Sequence, residues 1–285
     1  MRYPEVPIHT LLRFIEEDAP FGDITSEFIL DKQSCLADII AKEDAILAGL
    51  SEISRLFRHY GVETSSGYED GNSIASGTVV LSLTGDAHAI LLVERTALNL
   101  MGRMSGIASQ TRKIQELVSS INPCCRIAAT RKTAPGLRLL DKKAAMIGGA
   151  DPHRFSLSDA ILIKDTHRVL IPLGEAIKRA KTAGIYHLIE VEAESSEEAA
   201  EAAQAGADMI LLDNMSPEQI SSTLTLLKTH GLRDQVMIEL SGGITPDNIT
   251  WYAALKVDRI SLGMLTHTVR NADFSLEIRP GSNVL

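Results

Sequence analysis

DMILLDNMSPEQISSTLTLLKTHGLRDQVMIELSGG, residues 208–243, reads as strand, helix, strand. DMILL (208–212) is a short apolar run closed by Asp213-Asn214, and QVMIEL (235–240) is a second, closed by Ser241-Gly242-Gly243. Short apolar runs bounded by turn residues suit strands buried on both faces. Between them SPEQISSTLTLLKTHG (216–231) opens on a Ser cap ahead of Glu218 and closes on Lys, His and Gly, which are the start and stop signals of a helix.

The same alternation extends both ways from this segment. CRIAA (125–129), AILI (160–163), YHLIEV (186–191) and DRISL (258–262) are further strand candidates, and SSEEAAEAAQAGA (195–207) is another amphipathic helix with a Ser cap. Successive runs begin ~20 to 35 residues apart, a spacing that suits right-handed parallel crossovers. The expectation is an α/β fold built on a closed or nearly closed (β/α) barrel, with a doubly wound open sheet as the structural alternative.

Before residue 105 the pattern changes. CLADIIAKEDAILAG (35–49) and SGTVVLSLTGDAHAILLVERTALNLMGRMSG (76–106) read as alternating strands, a turn and then a helix rich in Leu and Met. This predicts an N-terminal α+β domain over residues 1–108 and a barrel domain over 109–268, with the polar tail 269–285 returning to the first domain. A length of 285 residues suits one barrel plus a smaller domain, and 45% hydrophobic with 23% charged residues is ordinary globular composition.

No apolar segment approaches the roughly 18 residues that span a bilayer, and the start MRYPEVPIHTLLRF lacks the pattern of a signal peptide, so a cytoplasmic location is expected. A net charge of −9 argues against nucleic-acid or membrane-surface binding. Cys35, Cys124 and Cys125 form neither a disulfide framework nor a zinc spacing and are expected to be reduced, mostly buried thiols.

Catalytic groups of such barrels project from the carboxyl ends of the strands. There the chain carries Thr130-Arg131-Lys132, Lys164-Asp165, Glu190 with Glu192, Asp213-Asn214, Ser241-Gly242-Gly243, and Gly263 with Leu265-Thr266-His267. Residues 126–168 hold nine basic side chains (Arg126, Arg131, Lys132, Arg138, Lys142, Lys143, Arg154, Lys164, Arg168) against four aspartates. In an acidic chain this local excess points to a small anionic substrate gripped in part by bidentate Arg contacts. Arg138, Lys142 and Lys143 are expected on an exposed helix face, outside that site. Glu192 and Asp213 are carboxylates suited to hold Mg²⁺ together with substrate phosphates or ribose hydroxyls. Glu190 shares a strand face with Glu192 but also fits a salt-bridged position facing a helix. Ser241-Gly242-Gly243 and Gly263 offer backbone N–H groups to a phosphate on the last two loops, where barrels often hold one.

Taken together, GDITS (22–26), ERTALNL (94–100), TRKTAPGLR (130–138), GGADPHR (148–154), LIKDTH (162–167), EVE (190–192), LLDN (211–214), SGGI (241–244) and GMLTH (263–267) resemble the type II quinolinate phosphoribosyltransferases, or nicotinate-nucleotide pyrophosphorylases, over nearly the whole chain. The resemblance implies an N-terminal open α/β sandwich and an incomplete seven-stranded barrel. It implies at least a homodimer, with a hexamer as the larger alternative, in which Arg95 acts in trans on a partner's site. By the same motifs Thr130, Arg131, His153, Arg154 and Lys164 bind an aromatic dicarboxylate, and Lys132 stands between that acid and phosphoribosyl pyrophosphate. Glu192 and Asp213 serve ribose and Mg²⁺, while Ser241, Gly242, Gly243, Gly263 and His267 cradle the 5′-phosphate. Lys132, Lys164, Glu192 and Asp213 form the catalytic set.

Ala129 before Thr130, Pro152 before His153 and Thr166 after Asp165 depart from the enzyme pattern. The first two resemble a paralogue associated with molybdenum utilisation, ModD, so an altered aromatic acceptor or a non-catalytic anion-binding role stands as an alternative. A second is a Schiff-base lysine at Lys164 in an aldolase-like barrel.

Overall fold

The computed structural model describes residues 3–279. The chain forms two compact units, one holding the residues up to Arg112, 134–149 and those from Leu265 onward, the other Lys113–Thr133 and Ala150–Met264. The division thus follows contacts more than chain order, and 134–149 groups with the first unit.

In the first unit α1 (Ile8–Asp18), α2 (Ile24–Ile29) and α3 (Leu50–His59) accompany an antiparallel sheet of order β12-β1-β5-β3. Its strands are β1 (Ser34–Ala41), β3 (Glu63–Ser65), β5 (Val79–Asp86) and β12 (Phe274–Ile278), and β2 (Ala45–Ile46) pairs separately with β4 (Ser73–Ile74). Along β1 every second residue is buried, so Cys35, Ala37, Ile39 and Ala41 face the core. β12 pairs with β1 from Ala37↔Ile278 to Ala41↔Phe274, and residues 280–285 lie outside the described ones. The unit boundary at Arg112 falls within α4 (Ala87–Ile121), a single helix of 35 residues.

Helix α5 (Arg138–Gly148) overturns one expectation. Lys142 and Lys143 are 0% and 4% exposed and do not face solvent. A buried ammonium needs a partner, and Lys143 Nζ finds Glu52 at 2.6 Å and Asp70 at 3.6 Å. On the same helix Asp141 takes a bidentate grip from Arg103 at 2.7 and 2.9 Å.

The second unit holds a parallel sheet of order β6-β11-β10-β9-β8-β7, made of β6 (Arg126–Ala128), β7 (Ile161–Ile163), β8 (Ile189–Ala193), β9 (Met209–Asp213), β10 (Met237–Ser241) and β11 (Arg259–Ser261). These are the six runs read from the sequence. The first strand pairs with the last through Ile127↔Ile260, which wraps the sheet into a barrel and excludes the doubly wound order. The seventh strand expected from the resemblance is reduced to a single parallel bridge, Ala128↔Asp151. Helices α6 (Asp165–Arg168), α7 (Leu173–Ala180), α8 (Ser196–Ala205), α9 (Pro217–Thr229) and α10 (Ile249–Ala253) follow the strands, and α11 (Met264–His267) begins at the boundary with the first unit. Ser195 and Ser216 cap α8 and α9 as their sequence predicts.

Two of the three thiols, Cys35 and Cys125, are buried, and Cys124 is exposed. Among the described residues no helix is long and apolar enough to cross a membrane.

Candidate active site

Because the six barrel strands run parallel, their carboxyl ends lie along one edge, and the residues that close each strand line it. After β6 come Thr130, whose Oγ1 accepts the Lys132 N–H at 3.1 Å, and Arg131, whose Nε is sealed from water with no hydrogen-bond partner. Register places Lys164 beside Glu192, since Ile163 pairs with Val191, and Lys164 Nζ reaches Glu192 Oε2 at 2.8 Å. The Lys164 N–H donates to His167 Nδ1 at 3.0 Å, which fixes the turn into α6.

One strand pair further on, Asp213 and Ser241 stand opposite each other in register. Asn214 takes the left-handed conformation (φ 54°), with its N–H on Ser241 O at 2.9 Å and its side-chain amide on Asp213 Oδ2 at 2.7 Å. Gly242 has φ 92°, and a Cβ there would press on the Asn214 side-chain amide and lie 2.8 Å from its backbone N, so only glycine fits. Gly243 has φ 63° and open space around it. Gly263 follows β11 and is half-buried.

Two of the expected site residues belong to the first unit. Arg95 is exposed on α4, and His267 on α11 holds Thr268 Oγ1 through Nδ1 at 2.7 Å.

The nine basic residues of 126–168 separate by environment. Arg126 is exposed at the amino end of β6, Arg168 is paired with Glu198 at 2.7 Å, and α5 carries Arg138, Lys142 and Lys143 in the first unit. Arg131 and Arg154 remain as mutual neighbours: burial and then the Arg131 charge lower the Arg154 pKa from its ordinary value. Two guanidinium groups that repel each other in a partly buried place would both be relieved by an acid between them.

Beneath this edge the barrel interior is polar where barrels are usually filled by branched apolar side chains. Glu190, the residue left between two readings, faces inward and not toward a helix: it is 3% exposed and its Oε2 lies 3.3 Å from His153 Nε2. Glu239, 0% exposed, reaches the same nitrogen at 3.3 Å and also holds Arg259 and the Ser261 hydroxyl. Burial pushes the Glu190 carboxyl up, whereas His153, Ser261 and Arg259 outweigh burial at Glu239 and hold it down. For His153 burial acts downward, but the two glutamates outweigh it and push the pKa up to about 9. A second ring proton would have to sit on Nδ1, which already accepts the Arg154 N–H at 2.7 Å. The proton on Nε2 lies between the two carboxylates.

His153, Glu190 and Glu239 bring one nitrogen and two oxygens within 4.8 Å of one another, the spacing of a metal centre. Metal-bound histidine normally donates its other ring N–H. Here that nitrogen accepts, so a metal on Nε2 would require an imidazolate, and the group is better suited to hydrogen bonding. Glu192 and Asp213 make a fitter pair for Mg²⁺: both offer hard oxygens at the strand ends, each with one oxygen engaged, by Lys164 and by Asn214.

Sequence reasoning passed over Asp151, Glu239, Arg259 and Ser261. The signal was present as charge inside buried runs: in QVMIEL and DRISL a Glu and an Arg stand where both faces of a strand are covered.

Comparison with known proteins identifies the family. The family model for the quinolinate phosphoribosyl transferase C-terminal domain matches residues 107–277, and that for the N-terminal domain matches 23–105. The chain is 45% identical to a probable nicotinate-nucleotide pyrophosphorylase (carboxylating) of Methanothermobacter thermautotrophicus, covering 93% of this chain and 96% of that one. It is 43% identical to the protein of the same name from Methanocaldococcus jannaschii, covering 94% and 95%. The crystal structure of NadC from Streptococcus pyogenes superposes with a TM-score of 0.89 at 36% identity, over 98% of this chain and all of that one. These names lend no support to the molybdenum-linked reading. With both domain models matched in order along one chain, this protein belongs to the quinolinate phosphoribosyl transferase family.

Proposed function

We propose that the chain joins phosphoribosyl pyrophosphate to quinolinate, releasing pyrophosphate and CO₂ and forming nicotinate mononucleotide. The observation that carries this reading is Arg131 Nε, which is buried after β6 and lacks a partner, with Arg154 close enough to feel the Arg131 charge. A buried donor of this kind is costly unless an acceptor arrives, and a vicinal dicarboxylate supplies the acceptors.

In this reading Thr130, Arg131, Arg154 and Lys164 orient the acid, and Lys132 stands between it and the sugar phosphate. The ring nitrogen attacks the ribosyl carbon as the bond to pyrophosphate breaks. The carboxylates of Glu192 and Asp213 stabilise the positive charge that develops on the sugar, the kind of preorganised electrostatic term that dominates many enzymes. Glu192 and Asp213 would hold Mg²⁺ together with the substrate phosphates, and the ion would supply positive charge to offset the departing pyrophosphate. The carboxylate next to the new cationic nitrogen then leaves as CO₂, and its ring carbon takes a proton. Ser241, Gly242, Gly243 and Gly263 receive the 5′-phosphate, and Arg95 serves the site of a partner protomer in a homodimer.

The test is to incubate the protein with phosphoribosyl pyrophosphate, Mg²⁺ and quinolinate and to follow pyrophosphate and nicotinate mononucleotide. The two should appear in equal amounts. Binding without turnover would overturn the reading in favour of an anion-binding role, and turnover only with another aromatic acid would move the acceptor. A covalent adduct trapped by borohydride with a carbonyl substrate would replace it with a Schiff-base mechanism at Lys164.

A further inference from the structure

Arg259 sits inside the barrel and touches two carboxylates that both lead to His153. Its Nη2 donates to Asp151 Oδ2 at 3.0 Å, and Asp151 Oδ1 accepts the His153 N–H at 2.7 Å. Its Nη1 donates to Glu239 Oε2 at 3.3 Å, and Glu239 Oε1 lies 3.3 Å from His153 Nε2. One guanidinium therefore ties down both the backbone and the ring of the same residue.

His153 needs that hold. Its φ of 51° lies in the left-handed region, which a β-substituted residue adopts only when its surroundings impose it. Its ring nitrogens are both engaged, Nε2 by the glutamates and Nδ1 by the Arg154 N–H at 2.7 Å. The ring fixes the N–H of Arg154, the residue whose side chain shares the acid pocket with Arg131.

We propose that Arg259 is a positioning residue for the acid pocket, acting through Asp151 and Glu239 to hold His153 and so to aim Arg154. The inference rests on the reading of Arg131 and Arg154 as the dicarboxylate site. Arginine is suited to the task because its planar fork reaches two carboxylates at once, whereas a lysine keeps the charge and loses the fork.

The experiment is Arg259→Lys in the full chain, with quinolinate and phosphoribosyl pyrophosphate varied separately, and with phthalate binding followed by calorimetry. The expected result is a rise of about tenfold or more in KM for quinolinate and in Kd for phthalate, with KM for phosphoribosyl pyrophosphate and the melting temperature unchanged. Asp151→Asn, which keeps an acceptor for the His153 N–H but weakens the link to Arg259, should shift the same two quantities in the same direction. Both KM values rising together, or neither moving, would overturn the proposal. So would a loss of the wild-type melting temperature in both variants, which would make the role structural. If wild-type protein binds phthalate but does not turn over quinolinate, the proposed reaction fails while the effect of Arg259→Lys on phthalate still decides this inference.

Discussion

Lys164 Nζ lies 2.8 Å from Glu192 Oε2, across the adjoining ends of β7 and β8. The pair joins a cation assigned to the acid with a carboxylate assigned to the sugar. Neither has a second charged partner of its own among the described residues. Glu192→Gln and Lys164→Met should each lower kcat by about 10²–10³-fold, the scale seen when one preorganised electrostatic group is removed. Because the two act as a unit, the double variant should be little worse than the poorer single one. Pyrophosphate release under saturating substrate is the measurement, and fully multiplicative losses would separate the two roles.

Arg131→Ala and Lys132→Ala should each cost more than tenfold in kcat/KM, over ~1.4 kcal/mol of transition-state stabilisation. Wild-type efficiency in both would remove the acid pocket from this end of the barrel.

Gly242→Ala and Gly243→Ala should differ. At Gly242 the new methyl meets the backbone of Asn214 as well as a φ of 92°, so Asn214 must shift and with it the carboxylate of Asp213. At Gly243 there is open space and only the left-handed backbone to pay for, about 1–2 kcal/mol. Melting temperatures should fall in both, while KM for phosphoribosyl pyrophosphate should rise markedly in Gly242→Ala.

Lys143→Met should destabilise the first unit by ~3–5 kcal/mol, because it strands Glu52 and Asp70 without their shared cation. Burial already pushes the Glu52 carboxyl up. Adding Glu52→Leu should recover part of the loss, since a buried pair replaced as a whole leaves no lone charge. Urea unfolding of the three variants tests this.

Burial pushes the Cys125 thiol up to about 12. Thiolate is the reactive form, and a pKa that high leaves Cys125 protonated and unreactive near neutral pH. Native protein treated with iodoacetamide at about pH 8 should therefore be alkylated at the exposed Cys124 and spared at Cys125 and Cys35. Peptide mass spectrometry reads the result, and labelling of Cys125 in folded protein would contradict its burial.

The six barrel strands, the Ser caps of α8 and α9 and the polar residues closing each strand were all readable from the chain, because period, capping and turn chemistry act over a few neighbouring residues. The same local rules misread Lys142 and Lys143, whose helical spacing looks like any solvated face. They also passed over Asp151, Glu239 and Arg259, three charges that strand patterning hides within or beside apolar runs. Which carboxylate answers which cation was decided only by tertiary structure. Glu52 meets Lys143, and Asp151 meets Arg259, across separations of 91 and 108 residues. Charge pairing depends on distances of a few ångströms and on the exclusion of water, and both exist only after the sheet has closed and the helices have packed.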